Sequence, residues 1–117
     1  MSFTKIPIEE YHRLQGILEE YKTRLYEYNK LVSTYGYYLK PLHIVYKKTS
    51  NGTVKYVYYG RYWYKIVYAG KRNKTSIVKW IYIGREKPLP KLPDPPHHPL
   101  EGIVLRIDST GVYMKKS

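Results

Sequence analysis

The sequence predicts an α+β fold. One long N-terminal helix is followed by a three-stranded antiparallel sheet, a Pro-rich strap and a C-terminal β-hairpin. Three observations predict it. An apolar stripe at helical spacing runs from Tyr11 to Tyr35. From Leu42 the pattern changes to strict alternation. Six of the eight prolines then fall within residues 87–99, ahead of a last short alternating pair. At 117 residues the chain fits one domain, residues 1–117, and 43% apolar content excludes wholesale disorder.

The helix is expected over residues 7–35. Pro7 suits a first helical position, and Glu9 and Glu10 favour the positive end of the helix dipole. Tyr11, Leu14, Leu18, Tyr21, Leu25, Tyr28, Val32 and Tyr35 recur at spacings of 3 and 4, and Gly36 supplies a C-terminal stop. Two readings of the stripe stand side by side. Leu14, Leu18, Tyr21, Leu25, Tyr28 and Val32 would form a coiled-coil seam in a homodimer, or they would cover a sheet within one copy. Three tyrosines in one register suit a tight two-stranded seam poorly, because their hydroxyls need partners.

The sheet is expected over residues 42–86. Residues 42–48 read as a strand, and the turn at 49–53 contains Asn51-Gly52. Residues 54–69 read as a second strand with a bulge at Gly60. Residues 70–75 read as a charged loop and 76–84 as a third strand. Alternation puts Val54, Tyr56, Tyr58, Tyr62, Tyr64, Ile66 and Tyr68 on one side of the second strand. So many rings on one face read as core beneath the helix. The opposite face, with Lys55, Arg61, Trp63, Lys65, Lys79 and Arg85, then reads as exposed. On that reading Trp63 is available to a ligand, whereas Trp80 reads as core. Residues 87–101 cannot form helix or a central strand and read as an extended strap. Residues 102–115 read as a hairpin about Asp108-Ser109-Thr110-Gly111. A lone hairpin is marginal, so it should dock on the sheet or pair with another copy.

Charge points to function. Residues 37–91 hold 13 Lys and Arg against one acid, Glu86, while both flanking segments are neutral. The same stretch carries ten of the 16 tyrosines and both tryptophans. Positive charge displaces counterions from phosphates, and rings stack on bases. The expected nucleic-acid contacts are Lys55, Arg61, Trp63, Lys65, Lys71, Arg72, Lys74, Lys79 and Arg85. The expectation is a non-enzymatic protein that binds double-stranded DNA with weak sequence preference, through the basic face and the 70–75 loop. The alternatives are single-stranded DNA or RNA held by stacking, or a protein-interaction module that docks an acidic partner.

Other classes are not expected. No apolar run approaches a membrane-spanning length, and the N-terminus lacks an apolar signal core. The expected location is cytoplasmic and nucleoid-associated. Zero cysteines exclude disulfides and thiolate metal sites. His97 and His98 are adjacent on an extended segment and would point apart, so no metal site is expected. No phosphate loop, catalytic triad or nucleotide fingerprint is present, so neither an enzyme nor a cofactor is expected. Many Tyr, Lys and Ile beside two Met and no Cys point to a thermophilic archaeal source.

The segments YGRYWYKIVYAGK (59–71) and VKWIYIGRE (78–86), followed by Lys87-Pro88, carry a resemblance. They resemble a small aromatic-rich sheet module of archaeal and bacterial proteins, related to hairpins that accompany integrases and resolvases of mobile elements. Arg61, Tyr62 and Trp63 match its first strand, Gly70 and Lys71 its turn, and Tyr82, Ile83, Gly84 and Arg85 its last strand. The match covers about 30 of the 117 residues. It implies a three-stranded sheet that contacts DNA.

Overall fold

A computed structural model describes residues 2–116. The elements in order are β1 (Thr4–Ile6), α1 (Ile8–Val32), a short 3-10 turn (Ser33–Tyr35), β2 (Tyr37–Thr49), β3 (Gly52–Arg72), β4 (Thr75–Gly84), β5 (Ile103–Asp108) and β6 (Gly111–Lys116). The fold is α+β with one long helix and an antiparallel sheet. Among the described residues that sheet has six strands, not three with a separate hairpin. The C-terminal hairpin joins through β5, which pairs residues 55–58 of β3. A strand absent from the sequence reading, β1, closes the far edge against β6.

β3 organises the sheet. Its one edge pairs β2 from Gly52 to Lys65. Its other edge takes β5 in the first half and β4, from Trp63 to Arg72, in the second. Beyond Ile66, which donates its N–H to the Gly36 carbonyl at 2.8 Å, β3 pairs β4 alone. Residues 67–79 therefore form a two-stranded arm that leaves the body. The expected bulge is present: Lys40 faces Tyr62 while Leu42 faces Tyr59, so Gly60 and Arg61 stand against Pro41. A Cβ on Gly60 would lie 3.1 Å from the Arg85 guanidinium and 3.4 Å from the Tyr62 ring, so those side chains would have to give by a few tenths of an ångström.

The helix stripe covers this sheet within one copy. Leu14 and Leu18 pack with Ile6, Val57, Tyr59, Leu100, Ile103, Leu105 and Val112. Tyr21, Leu25, Tyr28 and Val32 pack with Leu39, Trp63 and Leu92. Of the two readings of the stripe, the structure shows packing within one copy, and all six residues offered for a seam are buried against their own sheet and strap. The tyrosine hydroxyls find partners in the strap. Tyr21 donates to the Pro96 carbonyl at 3.3 Å and Tyr28 to the Pro93 carbonyl at 2.7 Å. Gly36 ends the helical segment at φ +87, in the left-handed region where glycine costs least.

The expected assignment of faces is reversed. Val57, Tyr59 and Trp63 lie under the helix. The row Tyr56, Tyr58, Tyr62, Tyr64 and Tyr68 lies on the opposite face, which no element covers among the described residues. The strap shares the helix side through buried Leu92, His98 and Leu100. No helix is long and apolar enough to cross a membrane among the described residues.

Candidate nucleic-acid interface

Residues opposite one another across an antiparallel pair share a face. The registers therefore assemble the open face row by row. Tyr56 lies between Val45 and Arg106, and Arg106 faces Tyr113. Tyr58 lies between His43 and Val104. Tyr64 lies between Tyr38 and Tyr82, and Ile66 faces Trp80. The rings touch in a chain. Phe3 to Tyr56 is 6.2 Å, Tyr56 to Tyr58 is 6.5 Å, and Tyr58 to His43 is 6.4 Å between centroids. His43 continues to Tyr62 at 5.6 Å, Tyr62 to Tyr82 at 6.2 Å, and Tyr82 to Tyr64 at 5.5 Å. Trp80 ends the row 4.7 Å from Tyr38.

Cations are interleaved with the rings. The Lys40 ammonium sits 4.6 Å from the Tyr64 centroid and 5.2 Å from that of Trp80. Lys47 lies over Tyr56 at 5.3 Å and Arg85 over Tyr62 at 5.7 Å. Arg106 lies over Tyr113 at 4.3 Å, and Lys115 over Phe3 at 4.9 Å. Asp108 shares this register and stands 3.6 Å from Arg106. Hydrogen bonds from the Thr110 hydroxyl and N–H, then the Arg106 charge, hold its carboxyl below the usual aspartate range. Burial pushes the Tyr62 phenol up, with Arg85 opposing, so it stays a neutral donor near neutral pH.

The arm extends the basic character. Residues 66–84 carry Lys71, Arg72, Lys74 and Lys79 and no acid. The segment expected to be a loop is strand up to a tight two-residue turn, in which Arg72 pairs Thr75. Asn73 and Lys74 form that turn at φ 49 and 68, as the twist of a hairpin demands. No side chain of β4 enters either buried cluster. Ile77, Val78, Trp80, Ile81, Tyr82 and Ile83 are all exposed. An apolar edge strand with one charge is a surface that natural proteins rarely leave bare.

The structure divides the nine expected contact residues. Lys71, Arg72, Lys74 and Lys79 lie on the arm, and Arg85 lies at its base on the open face. Lys55, Arg61 and Lys65 fall in the register of the helix side, and Arg61 pairs Glu101 at 3.4 Å. Trp63 has no exposed surface and meets Tyr28 edge-on at 6.1 Å, so it is core. Trp80, read as core, is 42% exposed. Sequence reasoning missed Tyr38, Lys40, His43, Lys47, Arg106 and Lys115. The signal that finds them is the opposite choice of face.

Among the described residues no three His, Asp or Glu side chains gather to hold a metal ion. No protein-family model matches the chain, and comparison with curated proteins and with solved structures found no similar chain.

Proposed function

We propose that this is a non-enzymatic nucleic-acid-binding protein whose open sheet face takes a single strand of DNA or RNA. The observation that carries the reading is the interleaving of rings and cations on an uncovered face. Lys40, Lys47, Arg85, Arg106 and Lys115 each sit over an aromatic ring of that face. A single strand offers what such a face needs, namely unpaired bases to stack and a phosphate chain to neutralise. Rings exposed to water at this density lose little on stacking against a base. An acidic peptide would use the cations and leave most rings idle.

Duplex DNA is a second reading, and the arm favours it. A two-stranded ribbon fits a groove, and Lys71, Arg72 and Lys74 at its tip would lie on phosphates. The experiment that separates the two is fluorescence anisotropy with matched single-stranded DNA, RNA and duplex over a salt series. The expected result is tighter binding to the single strands. Log affinity should fall with log salt at a slope of about −3 to −4, as for five neutralised phosphates on a single strand. Preference for duplex would move the contact to the arm. Absence of binding to all three at low salt would overturn the nucleic-acid reading and direct the charge toward an acidic protein.

A further inference from the structure

One part of the open face is a cavity rather than a platform. His43 from β2, Tyr62 and Tyr64 from β3 and Tyr82 from β4 line an open-sided hollow of about 330 Å³. Neighbouring rings stand 5.5 to 6.2 Å apart between centroids, as Tyr64–Tyr82, His43–Tyr62 and Tyr62–Tyr82 do. Among the described residues, the three hydroxyls and the His43 ring nitrogens make no hydrogen bond to the protein. A phenol both donates and accepts, and a neutral imidazole does one at each nitrogen. The cavity therefore combines π walls with unused donors and acceptors. Lys40 lies over the Tyr64 wall at 4.6 Å and Arg85 over the Tyr62 wall at 5.7 Å.

We propose that this cavity receives one unstacked nucleobase of a single strand, with Lys40 and Arg85 on the flanking phosphates. The proposal rests on the nucleic-acid reading above and narrows it to a base pocket. A planar heterocycle matches the walls with its faces and the hydroxyls with its polar edge. A lipid chain would leave the hydroxyls and both cations without partners. A base inside a duplex would first have to be unpaired and unstacked, so the pocket itself selects against duplex.

The probe is a short single-stranded DNA carrying one 2-aminopurine among thymines, titrated with the full chain. Its fluorescence should be quenched on binding as the base stacks within the pocket that the rings line. Tyr62→Ala with Tyr82→Ala should abolish the quenching and weaken binding roughly tenfold, the scale of one lost stacked base. The salt slope should not change, because no cation is removed. Both side chains lie outside the buried clusters, and an unchanged thermal midpoint confirms that the fold survives. Should the pair unfold, His43→Ala at its exposed position carries the same test with a smaller expected loss. Undiminished quenching and affinity in the folded variant would overturn the pocket while the nucleic-acid reading stands. Binding of the wild-type chain to duplex alone would overturn the pocket and leave the arm as the contact. Binding to neither strand form would end the parent reading as well.

Discussion

At the scale of single residues, two polar side chains do what the apolar pattern cannot. The Asn29 amide is buried and grips the Leu39 peptide groups, accepting its N–H and donating to its carbonyl, both at 2.9 Å. It thereby pairs the free edge of β2 and fixes the helix against the sheet. Asn29→Ala strands one donor and one acceptor in the core. It should destabilise the fold by about 2–3 kcal/mol, read by urea unfolding; a loss below half a unit would mean that water replaces the amide. His98 is the second case. It is fully buried, stacks on Tyr21 at 4.3 Å, bonds the Pro41 carbonyl through Nε2 at 2.8 Å and accepts the Leu100 N–H at Nδ1. This geometry is that of the neutral ring. Burial lowers its pKa, and the Pro41 carbonyl opposes that effect. In the unfolded chain histidine titrates near ~6.5, so below that pH the unfolded state gains a proton the native state resists. Stability is therefore complete above about pH 6.5 and declines below it, until the folded ring also protonates. The carboxylates with lowered pKa, Glu10, Asp94 and Asp108, lose their share only at more acid pH. Unfolding free energies between about pH 7 and pH 5 should thus fall for the wild type and stay flatter for His98→Gln.

At the scale of elements, the hairpin arm holds a conflict between conformation and charge. Lys74 occupies the left-handed region at φ 68, where a side chain costs about 1–2 kcal/mol relative to glycine. Lys74→Gly should steady the turn, slowing amide exchange in residues 71–76. On the duplex reading, the same change should weaken duplex binding and reduce its salt slope by about one unit. Unaltered affinity would show that the tip does not reach phosphate. The elements differ in how far the sequence disclosed them, for physical reasons. The helix was legible because a 3-4 stripe from Tyr11 to Val32 permits no other regular structure, and the observed element runs Ile8–Val32. The hairpins about Asn51-Gly52 and Asp108-Ser109-Thr110-Gly111 were legible through their turn residues, whereas the tight Asn73-Lys74 turn was read as a longer loop. β1 was not, since three residues carry no period and its pairing with β6 is non-local. The faces of β3 were misread because tyrosine suits both core and open surface. Alternation shows that Tyr56 and Tyr64 share a side but not which side meets the helix. Lys55, Arg61 and Lys65 made the buried side look polar, yet Arg61 pairs Glu101 and Lys65 lies where the body gives way to the arm. That misreading alone misplaced most of the open-face site. The arm itself was hidden because a strand alternates alike in a six-stranded body and in a two-stranded ribbon.

At the scale of the whole molecule, charge is divided between two sides. The helix carries Glu9, Glu10, Glu19, Glu20 and Glu27, and three of these pair Arg13, Lys22 and Lys30 one turn along. Such exposed pairs add little stability, but they leave the helix itself close to neutral. Lys55, Arg61 and Lys65 put some charge on the helix side, while most of the net +12 is carried by the open face and the arm. A polyanion approaching from any direction would be steered to that side, over a range set by the Debye length of about 8 Å in physiological salt. Net charge and local contact make different claims, and two triple variants of equal charge separate them. Arg13→Ala, Arg24→Ala and Lys30→Ala remove three positive charges from the exposed side of the helix. Lys40→Ala, Lys47→Ala and Arg85→Ala remove three from the rings of the open face. If contact governs, the first set leaves single-strand affinity and its salt slope nearly unchanged. The second set weakens binding and flattens the slope by about two units, since each released phosphate contact contributes about 0.7 on a single strand. Equal losses in the two sets, measured by anisotropy across the salt series, would mean that affinity follows total charge. The ordered row of rings and cations would then owe its arrangement to folding rather than to a ligand.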